Sequence, residues 1–339
     1  MMPVRVLLAA ALAGLMSWSP PLHRLRVSVQ VVVLDPSGVP VAGLGQDDFH
    51  VVIDGQPGVV DSVSAGASPA NVAVLFDVSS SFELTFGRGN LVKAVDAWLA
   101  RGRWSTNRWN LGSFARRVML GPRFTADPTE LAQAAHAALA LEDADRFGPS
   151  PAWDAVDAGI HALEPERGRR GIILVTDGRS TGNRLGLRAV LLRALAAGVP
   201  VSVVTSRAPQ MFALGERMML LVQPELALQL LADETGGAFA PDLPAGAVAR
   251  ALPGSEAGRL VAQALDLDKL GSLVDRIAEE LRHSYLLAFT LDPPSRSAHL
   301  LQVVVRQPGL TVRTQKTYLA GTVTSAASPW PAPARPRRP

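Results

Sequence analysis

The stretch NVAVLFDVSSSFE, Asn71 to Glu83, closes an apolar run with Asp77 and then with Ser79, Ser80 and Ser81. An Asp-x-Ser-x-Ser spacing can point one carboxylate and two hydroxyls into a single loop. Two kinds of chemistry are open to such a loop. Asp and Ser satisfy the orphan N–H groups where a helix begins, and the same oxygens can hold a divalent cation. A second apolar run, GIILVTDG from Gly171 to Gly178, also ends in an aspartate, Asp177. Between the two, GPSPAWDAV places a hydroxyl, Ser150, on a loop that leads into a helix. Asp77, Ser79, Ser81, Ser150 and Asp177 are all hard oxygen donors, without sulfur or imidazole. That set suits Mg²⁺, Mn²⁺ or Ca²⁺ rather than zinc or copper. Mg²⁺ requires near-octahedral coordination and sheds water reluctantly. Serine hydroxyls would bind it directly and the carboxylates mostly through ordered water, which leaves a position for an acidic group from elsewhere. The expected partner is a protein that presents Asp or Glu, and Asp77 to Ser81 is expected both to cap the first helix and to offer oxygens to the cation.

The elements around these residues must bring them together. Val72 to Phe76 is continuously apolar, as a strand buried on both faces should be. Helical spacing follows in LVKAVDAWLA, then two strands in RWNLGSFA and RRVML. Asp127-Pro128 reads as a cap with a proline at the first helical position. PAWDAVDAGIHAL is a further helix and GIILVTDG the next buried strand. The helix LGLRAVLLRALAAG stops at Gly198, the strand VPVSVVT follows, and the helix in PELALQLLADETGGAF ends at Gly236-Gly237 before a short strand. Strands alternating with helices imply an α/β fold with a doubly wound, mostly parallel, Rossmann-like sheet. Its site lies outside the carboxyl ends of the central strands, where the strand order reverses. With the order 3-2-1-4-5, the strand ending at Asp77 neighbours the one ending at Asp177, and the two carboxylates emerge side by side.

Composition narrows the class. The chain has 339 residues, 48% of them hydrophobic and 19% charged, enough to bury a sizeable core. It has no cysteine, so disulfides and thiolate metal sites are excluded. Arg5, the apolar run Val6 to Met16 and the small residues Ser17 and Ser19 read as an export signal over residues 1–19. A periplasmic or extracellular protein is expected, with no transmembrane segment once the signal is removed. The basic pI of about 9.8 owes much to the termini. Without Arg5 and the tail residues Arg335, Arg337 and Arg338, 29 basic residues face 30 acidic ones. No basic stripe interleaved with aromatics remains, so nucleic acid is not an expected partner. Residues 25–66 alternate and turn as a β segment, with turns at Asp35-Pro36-Ser37-Gly38 and Asp54-Gly55. The α/β domain is expected over 70–256, a C-terminal helix and β segment over 257–320, and a disordered Pro/Arg-rich tail over 321–339. The helix of that segment is expected from Ala257 to Arg282. The two β segments are expected to form one small flanking unit.

No Gly-x-Ser-x-Gly elbow, P-loop or dinucleotide glycine pattern is present. The six histidines are scattered without metal-ligand spacing. A metal-dependent hydrolase would use Asp77 and Asp177 but needs a general base that the sequence does not offer. A structural part of an envelope assembly, with a decayed site, is a third reading. Asp154 and Asp157, early in the helix after Ser150, read as support for its macrodipole. Met211, Met218 and Met219 read as core packing at the carboxyl end of a strand.

Asp77-x-Ser79-x-Ser81 ending one strand and Thr176-Asp177-Gly178 ending another resemble the metal-ion-dependent adhesion site of von Willebrand factor type A domains. VVVLDPSGVPVAGLGQDDFHVVIDGQP, GPSPAWDAV, LADETGGAFA, IAEELRHSYLLAF and VVVRQPGLTVRTQKTY are similar to blocks of the bacterial von Willebrand factor A-related family, covering residues about 27 to 319. The resemblance implies an exported, non-enzymatic protein-binding module with a Mg²⁺-type site. Two positions depart from the family pattern. Ser150, between Pro149 and Pro151, stands where a threonine is usual, so the aim of its hydroxyl is in doubt. Ser80 stands where a glycine is usual, and the loop would be strained if that residue needs positive φ.

Overall fold

The computed structural model describes residues 25–86, 88–140, 148–205, 210–214, 217–221, 225–241, 267–291 and 298–319. The expected signal peptide, residues 257–266 of the expected C-terminal helix and the Pro/Arg-rich tail lie outside them.

The chain opens with β1 (Leu25–Leu34), β2 (Phe49–Ile53), β3 (Gln56–Gly58) and β4 (Val60–Ser64). The central domain begins with β5 (Asn71–Asp77), followed by the helices α1 (Ser80–Phe86) and α2 (Arg88–Ala100). Next come β6 (Arg108–Phe114), β7 (Val118–Leu120), α3 (Pro128–Leu139) and α4 (Ala152–Leu163). It continues through β8 (Arg170–Val175), α5 (Leu187–Ala197) and β9 (Val201–Val204). A hairpin of β10 (Gln210–Leu214) and β11 (Arg217–Leu221) precedes α6 (Glu225–Thr235) and β12 (Phe239–Ala240). The chain closes with α7 (Leu267–Arg282), β13 (Tyr285–Leu291), β14 (Ala298–Val305), β15 (Thr311–Arg313) and β16 (Thr317–Leu319).

Among the described residues, six strands form the central sheet in the order β12-β9-β8-β5-β6-β7. All pairs are parallel except β6 with the edge strand β7. Every residue of β5 is buried, which explains its unbroken apolar run. The pleat sends its side chains alternately to two cores. Val72, Val74 and Phe76 pack with residues of α2, α3 and α7, whereas Ala73 and Leu75 pack with residues of α4, α5 and α6. Trp98 of α2 meets Trp109 of β6 edge to face, with ring centroids 5.0 Å apart. The chain moves from β5 outward to β6 and β7, then returns to the other side of β5 to form β8. The order therefore reverses between β5 and β8, in register from Asn71–Arg170 to Phe76–Val175. In doubly wound sheets such a reversal is where ligands bind, outside the carboxyl ends of the strands.

Strands from the two ends of the described chain pair with each other. β1 lies antiparallel between β13 and β15, and β4 adds to β13. β14 pairs with β2 and β16, and β2 with β3. The β2–β3 turn holds Asp54 at φ 50 and Gly55 at φ 79, the two positive φ values that a tight hairpin requires. Val27, Val29 and Val31 of β1 share one buried cluster with Phe49, Val51, Leu287, Phe289, Leu301 and Val303.

Arg169 ties these strands to the central domain. It is buried, donating from Nε to the carbonyl of Ser284 at 2.6 Å and from Nη2 to that of Gly66 at 2.8 Å. Arg169→Met should cost about 1–3 kcal/mol, because the buried Ser284 carbonyl would be left unpaired. Urea unfolding followed by far-UV circular dichroism checks this; a midpoint equal to wild type would contradict it.

The hairpin β10–β11 is not what the sequence leads one to expect. Its methionines read only as core packing at the carboxyl end of a strand, because the continuous apolar run from Met218 to Val222 hides the period-two alternation of a strand. The side chains of Met211, Met218 and Met219 lie outside the described residues. Among the described residues, no helix is long and apolar enough to cross a membrane.

Candidate metal centre

Asp77 ends β5 wholly buried. Its Oδ1 accepts the backbone N–H of Ser79 at 3.0 Å, which folds the chain back into the turn that starts α1. Its Oδ2 accepts the hydroxyls of Thr176 at 2.7 Å and Ser150 at 2.9 Å. The hydroxyls of Ser79 and Ser81 are 3.1 Å apart. Ser81 in turn hydrogen-bonds Asp177, whose Oδ1 also accepts the N–H of Arg179 at 3.0 Å. The five residues singled out in the sequence thus form one connected set at the β5–β8 reversal. Asp77, Ser79, Ser150 and Asp177 are buried, and Ser81 is half-buried.

The two departures from the family pattern have local explanations. Ser150 keeps its aim despite the flanking prolines because Thr181 holds its backbone on both sides. The Ser150 N–H donates to Thr181 Oγ1 at 3.1 Å, and the Thr181 N–H donates to the Ser150 carbonyl at 2.7 Å. Ser80 is not strained. It opens α1, and among the described residues Asp54 is the sole non-glycine with positive φ. Its hydroxyl lies 3.4 Å from the Gly148 carbonyl, across to the loop that carries Ser150.

The electrostatics of the pair are unfavourable without a cation. Burial, and then the nearby charge of Asp177, push the Asp77 carboxyl up to about 7, against the hydrogen bonds from Ser79 and Thr176. Asp177 is also raised, chiefly by burial, while the Arg179 N–H and the Ser81 hydroxyl pull the other way. A divalent ion beside both groups would invert this, favouring two carboxylates over two acids. The donor set fits a hard cation. Among the described residues no group of three or more His, Cys, Asp or Glu side chains is placed to hold a metal. Here two carboxylates converge with three serine hydroxyls, which matches Mg²⁺, Mn²⁺ or Ca²⁺.

Three residues have roles here that the sequence reading did not assign to them. Thr176 lies one place past the register pair Phe76–Val175, which sets its hydroxyl beside Asp77. The signal was a hydroxyl residue directly before a strand-ending aspartate. Arg179 contributes its backbone N–H to Asp177. Asp154 does more than serve a helix dipole: it accepts the N–H groups of Arg184 and Leu185 at 3.0 Å each and pins the loop between β8 and α5. Asp157 likewise pairs with Arg193 of α5 at 2.6 Å.

No protein-family model matches the chain, and no curated protein does. Solved structures with a similar fold include the conserved hypothetical protein BatB from Bacteroides thetaiotaomicron, 17% identical, covering 50% of this chain and 89% of that one with a TM-score of 0.38. Proximal thread matrix protein 1 from the mussel byssus, with a zinc-occupied MIDAS motif, is 13% identical over 68% of this chain and 50% of that one, with a TM-score of 0.44. The pilus adhesin SpaC from Lactobacillus rhamnosus GG, in an open conformation, is 12% identical over 80% and 41%, also with a TM-score of 0.44. The reversal of strand order between β5 and β8, the Asp-x-Ser-x-Ser turn on the first and the Thr-Asp-Gly end of the second stand where the resemblance to von Willebrand factor type A domains leads one to expect them.

Proposed function

We propose that this protein is an exported interaction module that binds Mg²⁺, or Mn²⁺ or Ca²⁺ in its place, through Asp77, Ser79, Ser81, Ser150 and Asp177. A protein partner completes the coordination with an Asp or Glu side chain, so that binding is cation-dependent and reversed by a chelator. The observation that carries this reading is the convergence of two buried carboxylates and three hydroxyls at one strand-order reversal. A core gains nothing from burying two like charges side by side unless a cation is meant to join them. The serine hydroxyls and carboxylates of this chain would hold the ion and orient it. The ion would supply a Lewis-acidic position for the partner's carboxylate. A binding role needs no general base, and among the described residues no histidine takes part in the hydrogen bonds of Asp77, Ser150 or Thr176.

Thermal melting tests the reading. In EDTA the wild-type protein should melt lowest, and Mg²⁺, Mn²⁺ or Ca²⁺ should raise its melting temperature. A ligand of the folded state adds about 2.7 kcal/mol at a hundred times its dissociation constant. The Ser79→Ala, Ser81→Ala double variant should show no such rise. A rise of equal size in the variant would remove these hydroxyls from the site.

A further inference from the structure

Ser150 stands on a stiff arm. Pro149 and Pro151 each fix their own φ, and Pro151 keeps Ser150 out of the helical region. Such an arm has little freedom to adjust to a ligand, so its docking decides where the Ser150 hydroxyl lies. It docks on the loop between β8 and α5, which carries Asp177.

The two segments are joined along their length. Ser150 exchanges hydrogen bonds with Thr181, giving its N–H to Oγ1 at 3.1 Å and taking the Thr181 N–H on its carbonyl at 2.7 Å. The Trp153 N–H donates to Asn183 Oδ1 at 2.8 Å, so an orphan donor in the first turn of α4 is satisfied from the facing loop. Asn183 is itself held by Ser180, whose Oγ accepts its Nδ2 at 2.9 Å. Asp154 takes the N–H groups of Arg184 and Leu185. The approach is close enough to require a glycine. Gly182 has φ 69, and a Cβ there would lie 2.5 Å from that of Pro149. The Ser150 hydroxyl has a single proton and two acceptors at 2.9 Å, Asp77 Oδ2 and the Arg179 carbonyl, the latter in the same loop.

We propose that Thr181, Asn183 and Asp154 are positioning residues of the cation centre, which lock the Ser150 arm to the Asp177 loop and thereby set the affinity for the ion. The inference rests on the cation reading given above. Each of the three takes a backbone N–H of the facing segment, so the two loops move as one body and present Ser150 and Asp177 together. Groups already held in their bound arrangement lose less freedom on binding. Partners one step removed from a metal ligand change affinity about 10–100-fold when removed.

The test is a Mn²⁺ titration followed by electron paramagnetic resonance, together with amide hydrogen exchange of the full chain in EDTA. Wild type is compared with Thr181→Val, Thr181→Ser and Asn183→Ala. Thr181 is exposed and Asn183 half-buried, so these changes leave the hydrophobic core untouched. Thr181→Val removes the acceptor of the Ser150 N–H at nearly constant shape, and Asn183→Ala removes that of the Trp153 N–H. Each should raise the Kd for Mn²⁺ about tenfold or more. In EDTA, exchange should quicken at Ser150 in the first and at Trp153 in the second, and stay unchanged along β5 and β8. Thr181→Ser keeps the hydroxyl and should bind Mn²⁺ as wild type does. Wild-type affinity in Thr181→Val and Asn183→Ala would overturn the inference and leave the cation reading standing. A loss that Thr181→Ser shares, or faster exchange along β5 and β8, would overturn it in the same way. No bound Mn²⁺ in the wild type would overturn the cation reading, and the inference with it.

Discussion

The cation-free protein should become more stable as the pH falls from about 7 to about 4, and saturating Mg²⁺ should abolish that gain. The cause is the carboxyl of Asp77, raised from its ordinary value of 3.8 to about 7 by burial and by the charge of Asp177. A group whose folded pKa lies above its unfolded one binds protons more tightly in the native state. Its contribution is fully present below the unfolded value and is lost as the pH rises through the folded one. The window therefore runs from about pH 4 to about pH 7. Over some three pH units, at 1.36 kcal/mol each, the upper bound is on the order of 4 kcal/mol. Urea unfolding at a series of pH values, in EDTA and in Mg²⁺, measures it. Asp177→Asn is the internal control. It removes the neighbouring charge and keeps an oxygen for the Arg179 N–H, so it should flatten the slope in EDTA and raise stability at pH 8. A cation-free protein that loses stability on acidification over this range would show that the pair is not frustrated.

Gly237→Ala should be among the most damaging single substitutions in the chain. Gly237 joins the end of α6 to β12, and its N–H donates to the Ala232 carbonyl at 2.9 Å. A Cβ at this position would lie 2.1 Å from the carbonyl oxygen of Val201 and 2.4 Å from its carbon. Those are backbone atoms of β9 with no rotamer to yield. Relief requires β12 to part from β9, and with it the hydrogen bond from the Val203 N–H to the Ala238 carbonyl at 2.8 Å. The expected loss is about 4 kcal/mol or more, the range reached by substitutions that break a packed backbone contact. Denaturant midpoints and amide exchange along β9 and β12 would report it. Unchanged exchange there would mean that the glycine serves only as a helix stop.

Much of the centre was legible because its signals are local or follow from parallel topology. The apolar run of β5 shows a strand buried on both faces, and adjacent parallel strands bring their carboxyl ends together. Asp77 and Asp177 therefore meet although one hundred residues separate them. The cap at Asp127 was equally local, and its Oδ1 accepts the N–H of Glu130 at 2.9 Å. What the sequence hid depends on contacts between distant segments. The aim of Ser150 is set by Thr181, and the two approach only once the β8–α5 loop folds back. Asp154 shows its role only after Arg184 and Leu185 have arrived beside it. The pairing of Val27 with Phe289 and of Val31 with Tyr285 is fixed by the shared core, with no turn signal to announce it.

The central claim is that five oxygen-bearing side chains at the β5–β8 reversal hold one divalent ion. Its most direct test is a Mn²⁺ titration of the EDTA-stripped, dialysed protein, followed by electron paramagnetic resonance, with Mg²⁺ as competitor and the Ser79→Ala, Ser81→Ala variant alongside. One bound Mn²⁺ per chain, displaced by Mg²⁺ and absent from the variant, is the predicted result. No bound Mn²⁺ in the wild type, or the same amount bound by the variant, would contradict it and leave Asp77 to Ser81 as a helix cap.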